Sequence, residues 1–185
     1  MDEIVIRSML KWPDVPSVYG WLALDRRGEW LIKSVSGAFG RISNPAVVDF
    51  IGRNYAADAA GRWYFQNGPQ RVFVALRYTP WVWRLDDAAR HLVSHTGARP
   101  GAIRSAFVDE SGALLLQTAL GIGIVCDRDL AAVAGDVPES VARGEAADCT
   151  VLGARVRIAP IRAAEVAARF GFVPRPAPAP GEPEC

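Results

Sequence analysis

Histidine, lysine and cysteine are scarce in this chain. Its 185 residues include two histidines and three cysteines, and lysine occurs only as Lys11 and Lys33. Cys126, Cys149 and Cys185 are odd in number and far apart, with no CxxC pair, which argues against a disulfide framework or a cysteine-based zinc site. His91 and His95 are the only imidazoles, so histidine-centred catalysis or metal binding has one place to occur. Charge of one sign is also lacking. Lys+Arg number 21 against 20 Asp+Glu, a net charge of +1, so neither nucleic acid nor an anionic membrane is expected as a partner on electrostatic grounds. No stretch approaches the roughly 18 uninterrupted apolar residues of a membrane span; the longest candidate, 113–126, is broken by Gln117, Thr118, Gly121 and Gly123. Asp2 and Glu3 stand where a secretion signal carries positive charge. These absences lead to the expectation of a cytoplasmic protein.

Half of the residues are hydrophobic, enough for one domain or two small subdomains. Pro13 and Pro16 oppose a helix across "WPDVPS", so 1–20 reads as a lead-in. "WLALDRRGEWLIK" (21–33) reads as a hairpin around the Asp25-x-x-Gly28 turn. "NPAVVDFIGRNYAAD" (44–58) reads as a helix capped by Asn44 with Pro45 at its first position, Val47, Phe50, Ile51 and Tyr55 sharing one face. It stops at a second such turn, Asp58-x-x-Gly61. Strands follow at 62–66 and 70–78, joined at Asn67-Gly68 by a loop that Pro69 is expected to lengthen, and then at 81–85 after Thr79-Pro80. Further on, 105–125 reads as strands around the Asp109-x-x-Gly112 turn. Asp127 is expected to cap a short helix, 148–160 to form a hairpin, and 161–171 to form a last helix stopped by Gly171. The Pro-rich end, 173–185, reads as a disordered tail.

A shift of 84 residues lays Asp25, Gly28 and Leu31 on Asp109, Gly112 and Leu115, and Arg71, Val72 and Ala75 on Arg155, Val156 and Ala159. The order of elements agrees at the same offset, the signature of an internal repeat. The expected architecture is α+β, with two β-rich subdomains of largely antiparallel strands, 21–88 and 89–172, each carrying a helix on its sheet.

"WYFQNGPQRVFVALRYTPWVWRL" (63–85) concentrates seven aromatic residues. Strand parity puts Val72, Val74, Leu76 and Tyr78 on one face, assigned to the core, and Arg71, Phe73 and Arg77 on the other. Beyond Pro80, Trp81 and Trp83 share a face and Arg84 lies opposite. Two readings stand. Trp81 and Trp83, with Arg71, Arg77 and Arg84, form a ligand or partner surface by stacking and cation–π contact; or the pair is buried in the core.

The other constellations are weaker. Asp87, His91 and His95 fall on one face if 87–95 is a helix, a metal-ligand spacing; if 90–96 is a strand the histidines lie about 13 Å apart, and the β-branched composition favours the strand. Leu92 stands where an HExxH motif has its glutamate. Gly121-Ile-Gly123 lacks the third glycine of a dinucleotide fingerprint, Cys126 being in its place. Cys126 has no histidine near it in sequence to act as base.

Several pieces together resemble a pattern of mostly proteobacterial domain families of unknown function. They are Trp30, Ile42, Val47, Val48 and Phe50, then Asp58, Gly61, Trp63 and Tyr64, then Val72, Val74 and Pro80. The resemblance covers about 20–125. It implies an α+β fold of repeated helix-on-sheet motifs in two subdomains and a strand over 90–96, with "SVSGAF" (34–39) as an insertion. It supplies no catalytic residues, and a role in signalling or ligand sensing is what it suggests. The expected function is therefore a non-enzymatic module that senses a small molecule or binds a protein, with no cofactor. The alternatives are an enzyme using Asp87, His91 or His95, and a homodimeric building block.

Overall fold

The computed structural model describes residues 1–86, 88, 91–134 and 137–178. Two compact units account for them, one made of Met1–Asp25, Glu29–Tyr78 and the chain from Gly171, the other of Arg26–Gly28 and Thr79–Phe170. The boundary thus falls between Tyr78 and Thr79 rather than at 88/89. No helix among the described residues is long and apolar enough to cross a membrane.

The first unit opens with α1 (Glu3–Lys11), inside the stretch expected to be a lead-in. Pro13 and Pro16 keep 12–17 non-helical as expected, but both lie beyond the last turn of α1 and leave it intact. Its sheet comprises β1 (Val18–Leu24), β2 (Trp30–Lys33), β3 (Phe39–Arg41), then, after α2 (Pro45–Arg53), β4 (Tyr55–Ala57), β5 (Trp63–Asn67) and β6 (Gln70–Leu76), in the order β3-β2-β1-β6-β5-β4. β1 and β6 are parallel; the other pairs are antiparallel.

Local chemistry sets several of these ends. Asn44 accepts the backbone N–H of Ala46 at 3.0 Å and caps α2 as expected. The helix is shorter than its apolar spacing suggests. Asn54 ends it, and Tyr55 pairs with Phe65 as the first residue of β4. In each Asp-x-x-Gly turn the carboxylate accepts the N–H four residues on: Glu29 for Asp25, Arg62 for Asp58, Ala113 for Asp109. The β5–β6 loop is not lengthened by Pro69. Asn67 pairs with Gln70, and proline occupies the second central position, where its N–H is not the one that closes the turn.

Both faces of the β5–β6 pair are covered. Phe65 meets Phe50 of α2 edge-on at 5.4 Å. On the opposite face Phe73, placed outside by parity, is 2% exposed and stacks on Tyr19 at 4.5 Å. The stretch after Gly171 is no free tail as far as it is described. Val173 donates its N–H to Gly61, and Leu76 donates to Pro174. Residues 179–185 of the expected tail lie outside the described residues.

The second unit contains β7 (Trp81–Leu85), β8 (Leu92–Ser94), β9 (Ile103–Val108), β10 (Leu114–Thr118), β11 (Gly121–Val125), the short helices α3 (Leu130–Ala134) and α4 (Glu139–Ala142), β12 (Ala147–Val151), β13 (Ala154–Pro160) and α5 (Ala163–Phe170). Its sheet order is β12-β13-β9-β10-β11-β7-β8. Cross-strand partners coincide with those of the first unit at the 84-residue offset. Leu22↔Ile32 corresponds to Ala106↔Leu116, Leu22↔Val74 to Ala106↔Ile158, and Phe65↔Val72 to Cys149↔Val156. The fold is α+β, two β-rich sheets with a few helices.

Candidate functional site

The tryptophan pair is core. Trp81 is 9% and Trp83 0% exposed. Their rings are parallel at 6.0 Å. The Trp83 indole donates to the Leu116 carbonyl at 3.1 Å and that of Trp81 to Leu120 at 2.8 Å. A surface reading of the pair is therefore corrected. The two strand positions share a face with Gly123, which leaves room for the rings: a Cβ there would stand 2.4 Å from Trp83 Nε1.

The arginines grouped with that pair go separate ways. Arg84, in the second unit, donates to the Gly28 carbonyl at 3.4 Å. Arg77 and Arg71 belong to the first unit. Arg77 lies 5.4 Å over the Phe39 ring, and Arg71 lies 4.8 Å over Tyr64.

The histidines flank β8. His91 is exposed, and its backbone N–H donates to the Asp86 carboxylate. His95 is buried beside Trp81 at 5.8 Å, and its Nδ1 accepts the Val82 N–H at 3.4 Å. Burial, reinforced by the Arg84 charge, pushes its pKa down to about 3, so the ring is neutral at ordinary pH. Asp87 lies outside the described residues. Among the described residues no three His, Cys, Asp or Glu side chains are grouped to hold a metal. Cys126 is buried, and its burial pushes the thiol pKa up, opposite to what a nucleophile needs. Asp127 does not cap a helix with its side chain; it pairs with Arg27 at 2.7 Å.

One candidate does line a cavity. In the first unit a space of about 400 Å³ is walled by Met9, Leu10, Trp12, Pro13 and Val15, with Ser17, Gln66, Pro69 and Arg71 completing it. That volume suits a small ligand. Gln66 and Arg71 are direct cross-strand partners on β5 and β6, so they share a face. Gln66 is 1% exposed. Its Nε2 donates to the Gly68 carbonyl at 2.9 Å, while Oε1 is buried with no hydrogen-bond partner among the described residues. A buried polar atom left in that state costs on the order of 1–3 kcal/mol; being closed to solvent, it lies behind the cavity wall. Leu10 and Trp12, by contrast, are exposed apolar groups at the same place.

A larger cavity of about 710 Å³ in the second unit holds Asp109, Glu110, Arg162 and Glu165. Two of its carboxylates are already engaged. Asp109 accepts from Ser111 and Ala113, and Glu110 accepts the Ala163 N–H at the head of α5.

A family model matches residues 1–177, nearly the whole chain. The chain belongs to the DUF2944 family, described as a protein of unknown function (DUF2946). No curated protein matches this DUF2944 chain. It is similar to a solved structure, that of a DUF1285 family protein from Silicibacter pomeroyi DSS-3. The identity is 16% and the TM-score 0.46, over 79% of this chain and 84% of that one.

Of the cavity's polar residues in this DUF2944 chain, sequence reasoning had singled out only Arg71. Gln66 was missed because a glutamine on a strand carries no motif; its signal is burial, which only the packed sheet reveals. The walls were missed because 9–15 was read as lead-in.

Proposed function

We propose that this chain is a ligand-binding module whose site is the cavity formed by α1, the 12–17 loop and the β5–β6 hairpin of the first unit. Arg71 at an otherwise largely apolar cavity wall carries the reading. The apolar walls call for a flat or aliphatic body, and the guanidinium favours a carboxylate. A guanidinium recognises a carboxylate without exchanging protons near neutral pH, which supports binding rather than catalysis. Sensing of a small metabolite in the cytoplasm is the biological role that fits such a module.

Titration of the full chain with indole-3-acetate, phenylacetate and salicylate, followed by thermal melting and Trp fluorescence, tests the reading. At least one aryl carboxylate is expected to raise the melting temperature. Arg71→Leu should abolish that shift while costing the unliganded protein no more than about 1 kcal/mol, the worth of its half-buried contact with the Tyr64 ring. If none of these carboxylates stabilises the protein at millimolar concentration, or if Arg71→Leu leaves the shift intact, the assignment fails.

A further inference from the structure

The two sheets differ at one edge. β3 is the last strand of its sheet, whereas β11, which occupies the same place relative to β10 as β3 does to β2, is flanked by β7 in parallel. Cross-strand partners fix the equivalence residue by residue. Ile32 pairs with Gly40, and Leu116, its counterpart at the 84-residue offset, pairs with Gly123, the connection between the paired residues being one residue shorter from β10 to β11 than from β2 to β3. Gly40 therefore stands where Gly123 stands.

At Gly123 the reason for glycine is visible. Trp83 of the flanking strand lies over it, with its Nε1 2.4 Å from where a Cβ would be, and the same indole N–H bonds the Leu116 carbonyl. Leu116 is 0% exposed. At Gly40 the same platform is bare. Among the described residues a Cβ there would meet nothing within 4 Å, and Ile32 beside it is 51% exposed. Nor does Gly40 adopt the positive φ that would demand glycine. It thus has neither a conformational nor an internal packing reason, while its counterpart has a tryptophan.

We propose that β3 is a docking edge for an extended segment of a partner protein. The segment pairs in parallel with β3 and lays a tryptophan over Gly40, its indole N–H reaching the Ile32 carbonyl. Strand addition supplies backbone hydrogen bonds, and the pocket above Gly40 supplies side-chain selectivity. β7 on β11 is the internal template for both orientation and anchor. This inference is independent of the cavity reading, since neither Gly40 nor Ile32 lines that cavity.

The probe is a fluorescein-labelled peptide of sequence TPWVWRL, residues 79–85, titrated with the full chain and read by anisotropy. Saturable binding is expected. The peptide carrying Trp83→Ala should bind at least tenfold more weakly, and so should wild-type peptide to a Gly40→Val chain. Gly40→Val projects into open space, so its far-UV circular dichroism and melting should match the parent; Gly40→Ala, with less bulk, should give a smaller loss by the same route. Absence of saturable binding overturns the proposal. So does binding indifferent to both Gly40 variants, which would mean that the peptide exchanges with β7. Self-association of the chain that Gly40→Val abolishes would assign the edge to a second copy and overturn it equally.

Discussion

Alanine at position 123 and alanine at position 40 should have opposite effects, although the two glycines occupy equivalent strand positions. Neither needs a left-handed backbone, so the contrast is one of packing. At Gly123 the added methyl would lie 2.4 Å from Trp83 Nε1, 2.5 Å from its Cε2 and 2.8 Å from Trp81 Cβ. Both rings are buried and cannot swing into solvent. Overpacking of this kind costs about 1–3 kcal/mol, and displacement of the Trp83 indole from the Leu116 carbonyl adds roughly 1 kcal/mol. A loss of about 2–4 kcal/mol follows. At Gly40 the methyl meets none of the described residues within 4 Å, and restriction of the unfolded chain contributes roughly 0.4–1 kcal/mol of stability. Urea denaturation followed by Trp fluorescence measures both. With a slope of about 2 kcal/mol per molar, Gly123→Ala should lower the midpoint by about 1–2 M, and Gly40→Ala should leave it unchanged or raise it slightly. Equal midpoints for the two variants, or a lowered midpoint for Gly40→Ala, would refute the assignment of Trp83 to the space over Gly123 and of emptiness to the space over Gly40.

Acid should destabilise the second unit through His95. Its folded-state pKa of about 3 lies below the ordinary value of 6.5, so the unfolded chain takes up a proton first. Stability from this group is full above pH 6.5 and falls between pH 6.5 and about 3, by up to about 1.4 kcal/mol per pH unit; His95→Gln should flatten the slope of urea midpoint against pH in that window. Gly61→Ala should be among the most damaging changes in the first unit. Its φ is +76° and a Cβ would stand 2.3 Å from the Gly171 carbonyl oxygen, which would force apart the contact that seats 171–174; a loss above about 2 kcal/mol in thermal or urea unfolding is expected.

Much of the fold was legible because it rests on local chemistry. The three Asp-x-x-Gly turns, the Asn44–Pro45 start of α2 and the strand at 92–94 each depend on residues within a few positions of one another. The 84-residue offset was legible because turn residues and strand lengths recur at it. What sequence misjudged depended on partners far along the chain. Tyr55 fits the apolar face of a helix, yet it pairs with Phe65 because a strand edge was available there. Phe73 has the parity of an outward residue, yet Tyr19 covers it. Residues 1–20 read as lead-in because of Pro13 and Pro16, yet both lie beyond the last turn of α1, which buries Val5 while Ile4 and Leu10 are 74% and 80% exposed. Of the candidate site only Arg71 was found. A charged residue beside aromatics attracts attention, whereas an unpaired amide oxygen exists only once the chain around it has packed.

The sequence by itself determined where the chain turns, most of the strands and the offset at which turn residues recur, because these depend on short-range hydrogen bonds and side-chain periodicity. Only the tertiary structure decided which aromatic residues face inward and which glycines are filled. Trp83 is buried over Gly123 because β7 joins that sheet from some forty residues earlier in the chain. The same platform at Gly40 stays open because no strand among the described residues of its own unit reaches it. Strand pairing between distant segments costs loop-closure entropy and is governed by what the rest of the chain leaves uncovered, so no local pattern around Gly40 or Gly123 could have told the two apart.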